Sequence, residues 1–276
     1  MSEMGASTVI KRKHRKRFRF PGLEIYGVLI YLFLYMPLIV VLVYSFNSSQ
    51  SAMRFQSLTL EWYQKLFSDS TLLLALFNSL KVSLIAVSCA VIIGTSGAIF
   101  LNRVSFKGKD LFRSIALMPI ILPGIIIGLS ILIFILNLKI PLSMFTVLLG
   151  HLTFTTAVVL QQVSARLSRL SKNLENAAMD LGAPPIKAFF YVTLPMIKRA
   201  IIGGALLAFT MSFDEIIITY FLTSTFTTLP IYIYGMLRFG LSPEIYAISA
   251  VVLVFSIVLI ILTARFTGTE DEKLIS

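Results

Sequence analysis

The sequence predicts an all-α membrane protein with six transmembrane helices. Apolar residues make up 57% of the chain and charged residues 13%, against about 45–50% and about 25% in soluble domains. Six stretches are apolar and long enough to cross a hydrocarbon core of about 30 Å, which takes roughly 20 residues as a helix. Lys and Arg gather on alternate connections between them, as the positive-inside rule requires. These observations exclude a soluble enzyme, a disordered chain and a nucleic-acid-binding domain. The net charge of +11 follows from membrane topology.

The elements follow in order. A basic tail, 1–24, carries Lys11, Arg12, Lys13, Arg15, Lys16, Arg17 and Arg19. It resembles a signal-peptide n-region, but the apolar stretch after it is too long for a typical cleaved signal. Helix 1, over 25–46, is therefore read as uncleaved. The loop 47–72 contains Glu61-Trp62-Tyr63-Gln64-Lys65-Leu66-Phe67. This reads as a short surface helix with Trp62 and Tyr63 at headgroup level. Helix 2 covers 82–102, with Lys81 snorkelling at its outer end. Helix 3 covers 114–138, and Pro119, Pro123 and Gly124 kink it or locally open it. Helix 4 covers 140–165 and holds His151. Helix 5 covers 200–222 and holds Asp214 and Glu215. Helix 6 covers 245–264.

Arg103, Lys107, Lys109 and Arg113 lie between helices 2 and 3. Arg166, Arg169, Lys172, Lys187, Lys198 and Arg199 lie between helices 4 and 5, and Arg265 and Lys273 follow helix 6. The opposite side holds Arg54, Lys65, Lys139 and Arg238. Both termini are expected inside, N-in and C-in. The membrane domain spans 25–266 with an inner loop at 166–199, and a tail follows at 267–276. Cys89 is the one cysteine and there are two histidines, so neither a disulfide framework nor a Cys/His metal cluster is expected. His151 and Cys89 are read as packing or interhelical polar contacts. Gly203-Gly204 with Ala205 and Ala208 offers a smooth face for close helix contact, suited to an interface with another subunit or to internal packing.

The inner loop reads Leu174-Glu175-Asn176-Ala177-Ala178-Met179-Asp180-Leu181-Gly182-Ala183-Pro184-Pro185, and later Thr193-Leu194-Pro195. Two alanines suit a short helix, Gly182 stops it, and Pro184-Pro185 can open a second helix. This helix–turn–helix resembles the EAA loop of binding-protein-dependent ABC importer permeases: Glu-Ala-Ala, three residues, Gly, then a later Leu-Pro. Asn176 stands at the Glu position, with Glu175 one residue earlier. Ala177, Ala178, Gly182, Leu194 and Pro195 match in spacing, with Asp180 inside the motif. Either Glu175 or Asn176 fills the role of the motif's Glu. The resemblance covers nearly the whole chain, through Glu61-Trp62-Tyr63, Asn78-Ser79-Leu80, Met118-Pro119, Leu122-Pro123-Gly124 and Ser212-Phe213-Asp214-Glu215. It is most like the second permease of spermidine/putrescine importers.

That resemblance implies a type I ABC importer permease fold in the bacterial inner membrane, with a cytoplasmic coupling helix that docks into an ATPase. It implies a second homologous permease, two copies of the ATPase and an extracytoplasmic binding protein. Transport would proceed by alternating access between the two permeases. ATP and Mg would be bound by the ATPase, since this chain shows no phosphate-loop motif. No catalytic residue, cofactor or metal is expected here.

Within the membrane the chemical anomaly is the acidic pair. A carboxylate at the centre of a spanning helix costs about 2.5–3.5 kcal/mol on insertion scales, so Asp214 is expected to face a substrate path and attract a cation. Glu215 is a second candidate for that path, though it points about 100° away on a helix, so both rarely face one cavity. Phe213 could stack on a substrate ammonium or pack against a neighbour. Rival readings are a permease for iron(III), an oxyanion or an organic amine, a stand-alone secondary transporter, and a membrane enzyme. The inner loop argues against the stand-alone transporter. Against an enzyme stands the lack of a nucleophile motif.

Overall fold

The computed structural model describes residues 21–49, 54–171, 173–224, 226–239 and 243–267. The basic run at 11–19, Lys172, Lys273, the side chain of Arg265 and the outer parts of both tails lie outside the described residues. Two compact units form, Met1–Val41 and Leu42–Ser276. The first holds most of helix α1 (Pro21–Tyr44). Its Leu29, Phe33 and Met36 are exposed. An apolar helix of this kind is stable only in hydrocarbon or against further helices.

The second unit begins with a loop knitted around Asn47. The Asn47 side chain accepts from the backbone N–H groups of Ser49 and Gln56 and donates to Arg54 O. A single antiparallel bridge joins Asn47 to Leu58. Helix α2 (Glu61–Ser68) follows. Here the sequence reading is corrected: Trp62 is 4% exposed, and its indole N–H donates to Asn47 O at 2.8 Å. It packs with Leu66, Leu72, Phe213, Leu229 and Ile248. A Trp at headgroup level leaves its N–H to water; this one has a buried acceptor, which the loop supplies.

Helix α3 (Ser70–Arg103) starts where Asp69 Oδ1 accepts from Thr71 N and Leu72 N. Its 34 residues extend about 51 Å at 1.5 Å per residue, well beyond a bilayer core. Lys81 therefore stands about 16 Å inside the helix, not at its end as the sequence suggested. Helices α4 (Lys109–Ile121) and α5 (Gly124–Asn137) replace the single third helix, meeting at an angle of 106°. Pro123 causes the break. A proline pushes the residue before it out of the helical region, and Leu122 is extended at φ −71°, ψ 138°. Pro119 stays inside α4 without breaking it. Each half is about 20 Å long, too short to cross alone.

Helix α6 (Met144–Leu167) is the centre of the bundle. After it come α7 (Asn173–Asp180), α8 (Pro185–Ala188), a π-turn (Phe189–Thr193), α9 (Leu194–Phe213), α10 (Ile217–Leu222), α11 (Leu229–Phe239) and α12 (Pro243–Thr267). Among the described residues five helical stretches are long and apolar enough to cross a membrane, and six when α4 and α5 count as one bent span. The fifth predicted helix is also corrected: α9 stops at Phe213, and Asp214 and Glu215 lie in a break before α10.

Close packing on α6 uses small residues. A Cβ on Gly94 of α3 would sit 2.9 Å from Val159 Cβ, and one on Gly204 of α9 would sit 3.5 Å from Val159 Cα. Gly204 is thus spent on internal packing against α6. Short α10 is gripped in the same way: a Cβ on Gly150 of α6 would stand 2.6 Å from Ile218 Cγ2, and one on Gly128 of α5 would stand 3.2 Å from Ile218 Cα.

Candidate functional site

The first region is the α7–α8 unit. Helix α7 ends in a two-bond cap, with Gly182 N–H donating to Met179 O and Ala183 N–H to Ala178 O. This geometry needs a left-handed residue, and Gly182 has φ +90°. Pro184 is extended and Pro185 opens α8 as its first residue. The π-turn then widens the helix by one residue, and Leu194 N–H reaches back to Phe189 O. The cause is Pro195, which has no N–H to give Tyr191 O and whose ring crowds that carbonyl.

Glu175 is held within the chain. Its Oε1 accepts from Arg103 Nη2 at 2.6 Å and its Oε2 accepts from Thr193 Oγ1 at 2.9 Å. The Arg103 guanidinium lies 5.2 Å from the centre of the Phe189 ring, a cation–π distance. Arg103 is the last residue of α3, so one carboxylate ties α7 to α3 and to the turn leading into α9. Asn176, Ala177 and Asp180 face outward. Which of Glu175 and Asn176 stands on the exposed face is thereby decided: it is Asn176. Two large apolar residues that sequence reasoning missed stand there too, Leu181 at 90% exposure and Ile186 at 72%. The available signal was a Leu directly before the helix-ending Gly182 and an Ile directly after Pro184-Pro185.

The second region is the break at Asp214–Ile216. Asp214 N–H still donates to Thr210 O, which ends α9, and Tyr220 N–H donates to Ile216 O within the start of α10. Glu215 is used structurally: its Oε1 accepts from Ile218 N–H at 2.8 Å, satisfying an orphan donor at the α10 start. The same oxygen lies 3.7 Å from where a Cβ on Gly124 would stand, so the two helix breaks adjoin. Phe213 is buried with Phe209 and Phe255, its ring 5.1 Å from that of Phe255. The packing alternative for Phe213 is the one the structure adopts. Asp214 alone of the three is exposed, and its carboxylate meets no donor among the described residues.

A third cluster lies at the other end of α3. Tyr232 of α11 donates its hydroxyl to Asp69 Oδ2 at 2.6 Å. That bond holds the Asp69 carboxyl below its ordinary 3.8; burial opposes the shift, and the capping N–H groups add to it. Tyr232 is pushed up to about 12, first by the same bond, then by burial and the nearby charges of Asp69 and Glu244.

Residues 87–269, more than half of the chain, match the family model described as the binding-protein-dependent transport system inner membrane component. The chain belongs to this family. It is 39% identical over 229 residues to the putrescine transport system permease protein PotI of Escherichia coli strain K12, covering 80% of this chain and 82% of the relative. It is 34% identical over 233 residues to the spermidine/putrescine transport system permease protein PotC of the same strain, covering 84% and 88%. Among solved structures, a bacterial ABC transporter importing the acidic polysaccharide alginate superposes with a TM-score of 0.67 at 17% identity, covering 92% of this chain and 99% of that one. The alginate transporter solved with a pentasaccharide-bound periplasmic protein gives 0.66 at 15%, covering 91% and 94%. These likenesses show the fold.

The permease is thus a multi-pass inner membrane protein, and its all-α reading stands. In this permease, the exposed α7–α8 unit is part of the matched region, as is the break that presents Asp214. The sequence pattern located the α7–α8 unit and singled out Asp214, but read the break itself as helix. The tertiary contacts that make Glu215 a cap and Phe213 a core ring were not legible in it.

Proposed function

We propose that this permease is the membrane subunit of an ATP-driven ABC importer that takes up putrescine or spermidine delivered by an external binding protein. The observation that carries the ligand class is Asp214, an exposed carboxylate at a helix break that meets no donor among the described residues. The polyamine names of the relatives at 39% and 34% identity support the same class. A carboxylate held in a low-dielectric path attracts an ammonium strongly.

The basic residues around Arg103–Arg113 and Arg166–Arg199 put the α7–α8 end in the cytoplasm. The domain reading of 1–24, 25–266 and 267–276, with both tails inside, follows from that orientation. Asp214 then lies 20 residues beyond Leu194, about 30 Å away, near the outer face where a delivered cation would enter. Asn176, Leu181 and Ile186 form the surface offered to a cytoplasmic ATPase, present in two copies that bind ATP and Mg. A second homologous permease completes the path. Nucleotide closure of the ATPases moves α7–α8, and the tie through Glu175 and Arg103 carries that movement to α3.

Removing the Asp214 charge tests the ligand class. A hydrogen bond to a charged group contributes about 1.5–3 kcal/mol, so Asp214→Asn is expected to raise the half-saturating putrescine concentration about ten- to a hundredfold. Uptake of labelled putrescine by cells carrying the variant measures it. Unchanged kinetics at normal membrane levels would remove Asp214 from the path.

A further inference from the structure

His151 lies in the middle of α6 and is 1% exposed. Its Nδ1 is 2.7 Å from Ser212 Oγ and its Nε2 is 2.8 Å from Thr219 Oγ1. Ser212 is the second-last residue of α9, and Thr219 sits in the first turn of α10. One imidazole therefore holds both sides of the break that presents Asp214. A buried ring needs only some partner for each nitrogen; here neither partner is on its own helix, and the two flank the same gap.

Thr219 Oγ1 also lies 3.2 Å from Glu215 O, so a line of polar contacts runs from Ser212 through His151 and Thr219 to the residue next to Asp214. The Thr155 hydroxyl closes on the His151 carbonyl within α6 at 2.7 Å, so it does not compete for the ring.

We propose that His151 is a positioning residue for Asp214: its ring, bonded to Ser212 and Thr219, fixes the spacing of α9 and α10 so that the carboxylate stands exposed at the break. This rests on the reading of Asp214 as a path residue, and its test follows position 214 without requiring transport. In a Cys89→Ser background, which removes the chain's one cysteine, Asp214→Cys is modified with a small cationic thiol reagent in the assembled transporter. His151→Phe, which removes both hydrogen bonds, is expected to slow modification about fivefold, the effect of losing one net hydrogen bond or more. His151→Gln, whose amide both donates and accepts, is expected to recover most of the rate. The Ser212→Ala, Thr219→Val pair keeps the ring and nearly all volume while removing its partners, and carries the test if His151→Phe does not assemble. With Asp214 present, the same variants are expected to raise the half-saturating putrescine concentration more than they lower maximal uptake. Modification at an unchanged rate in both the His151→Phe and the paired variant would overturn the proposal. Modification that follows His151 while Asp214→Asn transports normally would uphold the positioning role and sink the path reading instead.

Discussion

At the scale of single residues, Asp214 and Glu215 show how neighbours in sequence acquire different tasks. Both read as intramembrane acids. The break turns Glu215 back onto the Ile218 N–H and leaves Asp214 outside. Asp69 is a third acid with a structural task, holding the first turn of α3 and the Tyr232 hydroxyl. The signs of its pH dependence can be worked out. The folded carboxyl lies below 3.8, so its stabilisation is complete above that value and is lost as pH falls through the lower folded value. Tyr232 lies at about 12 against an ordinary 10.0, so its share is complete below 10.0 and lost as pH rises toward 12. Between those limits the tie is independent of pH. Tyr232→Phe is expected to lower stability by about 1 kcal/mol and to bring the acid limb of thermal unfolding in detergent to higher pH. An acid limb that does not move would show that the bond contributes nothing.

At the scale of elements, the decisive features are breaks. Apolar runs in the sequence mark where chain crosses a membrane, because burial in hydrocarbon needs little beyond hydrophobicity and length. The Pro123 break was legible as a site of distortion, but not as a turn of 106°, since the angle depends on α10 packing against α5. The Asp214 break carried no proline or glycine and was read as helix. Trp62 misled for a related reason: its buried acceptor, Asn47 O, lies 15 residues away, across a loop with no regular pattern. The α7 cap at Gly182 and the α8 start at Pro185 were fully legible, because their causes are local. The tie between Arg103 and Glu175 spans 72 residues and was not. That tie makes a charge exchange informative. Glu175→Arg alone is expected to lower substrate moved per ATP hydrolysed. The double variant Arg103→Glu, Glu175→Arg is expected to recover much of that loss, with a coupling energy of about 0.5–3 kcal/mol. A double variant no better than the single would assign Glu175 a task outside this pair.

At the scale of the whole molecule, α3, α6 and α9 form a close-packed centre through Gly94, Val159 and Gly204. The α7–α8 unit is fastened to that centre rather than hung from it. Exposed Leu181 and Ile186 on a small, fastened unit are costly in water and fit a surface that a partner covers. We propose that this surface docks an ATPase and that the permease works only in that assembly. Affinity purification of the tagged chain from native membranes in mild detergent, with the bound proteins identified, tests it most directly. Recovery of an ATPase and a second six-helix permease is expected with the unaltered chain, and loss of the ATPase alone when Leu181 and Ile186 are both changed to Glu. Recovery of the chain by itself, under conditions that keep a known ABC complex intact, would contradict it.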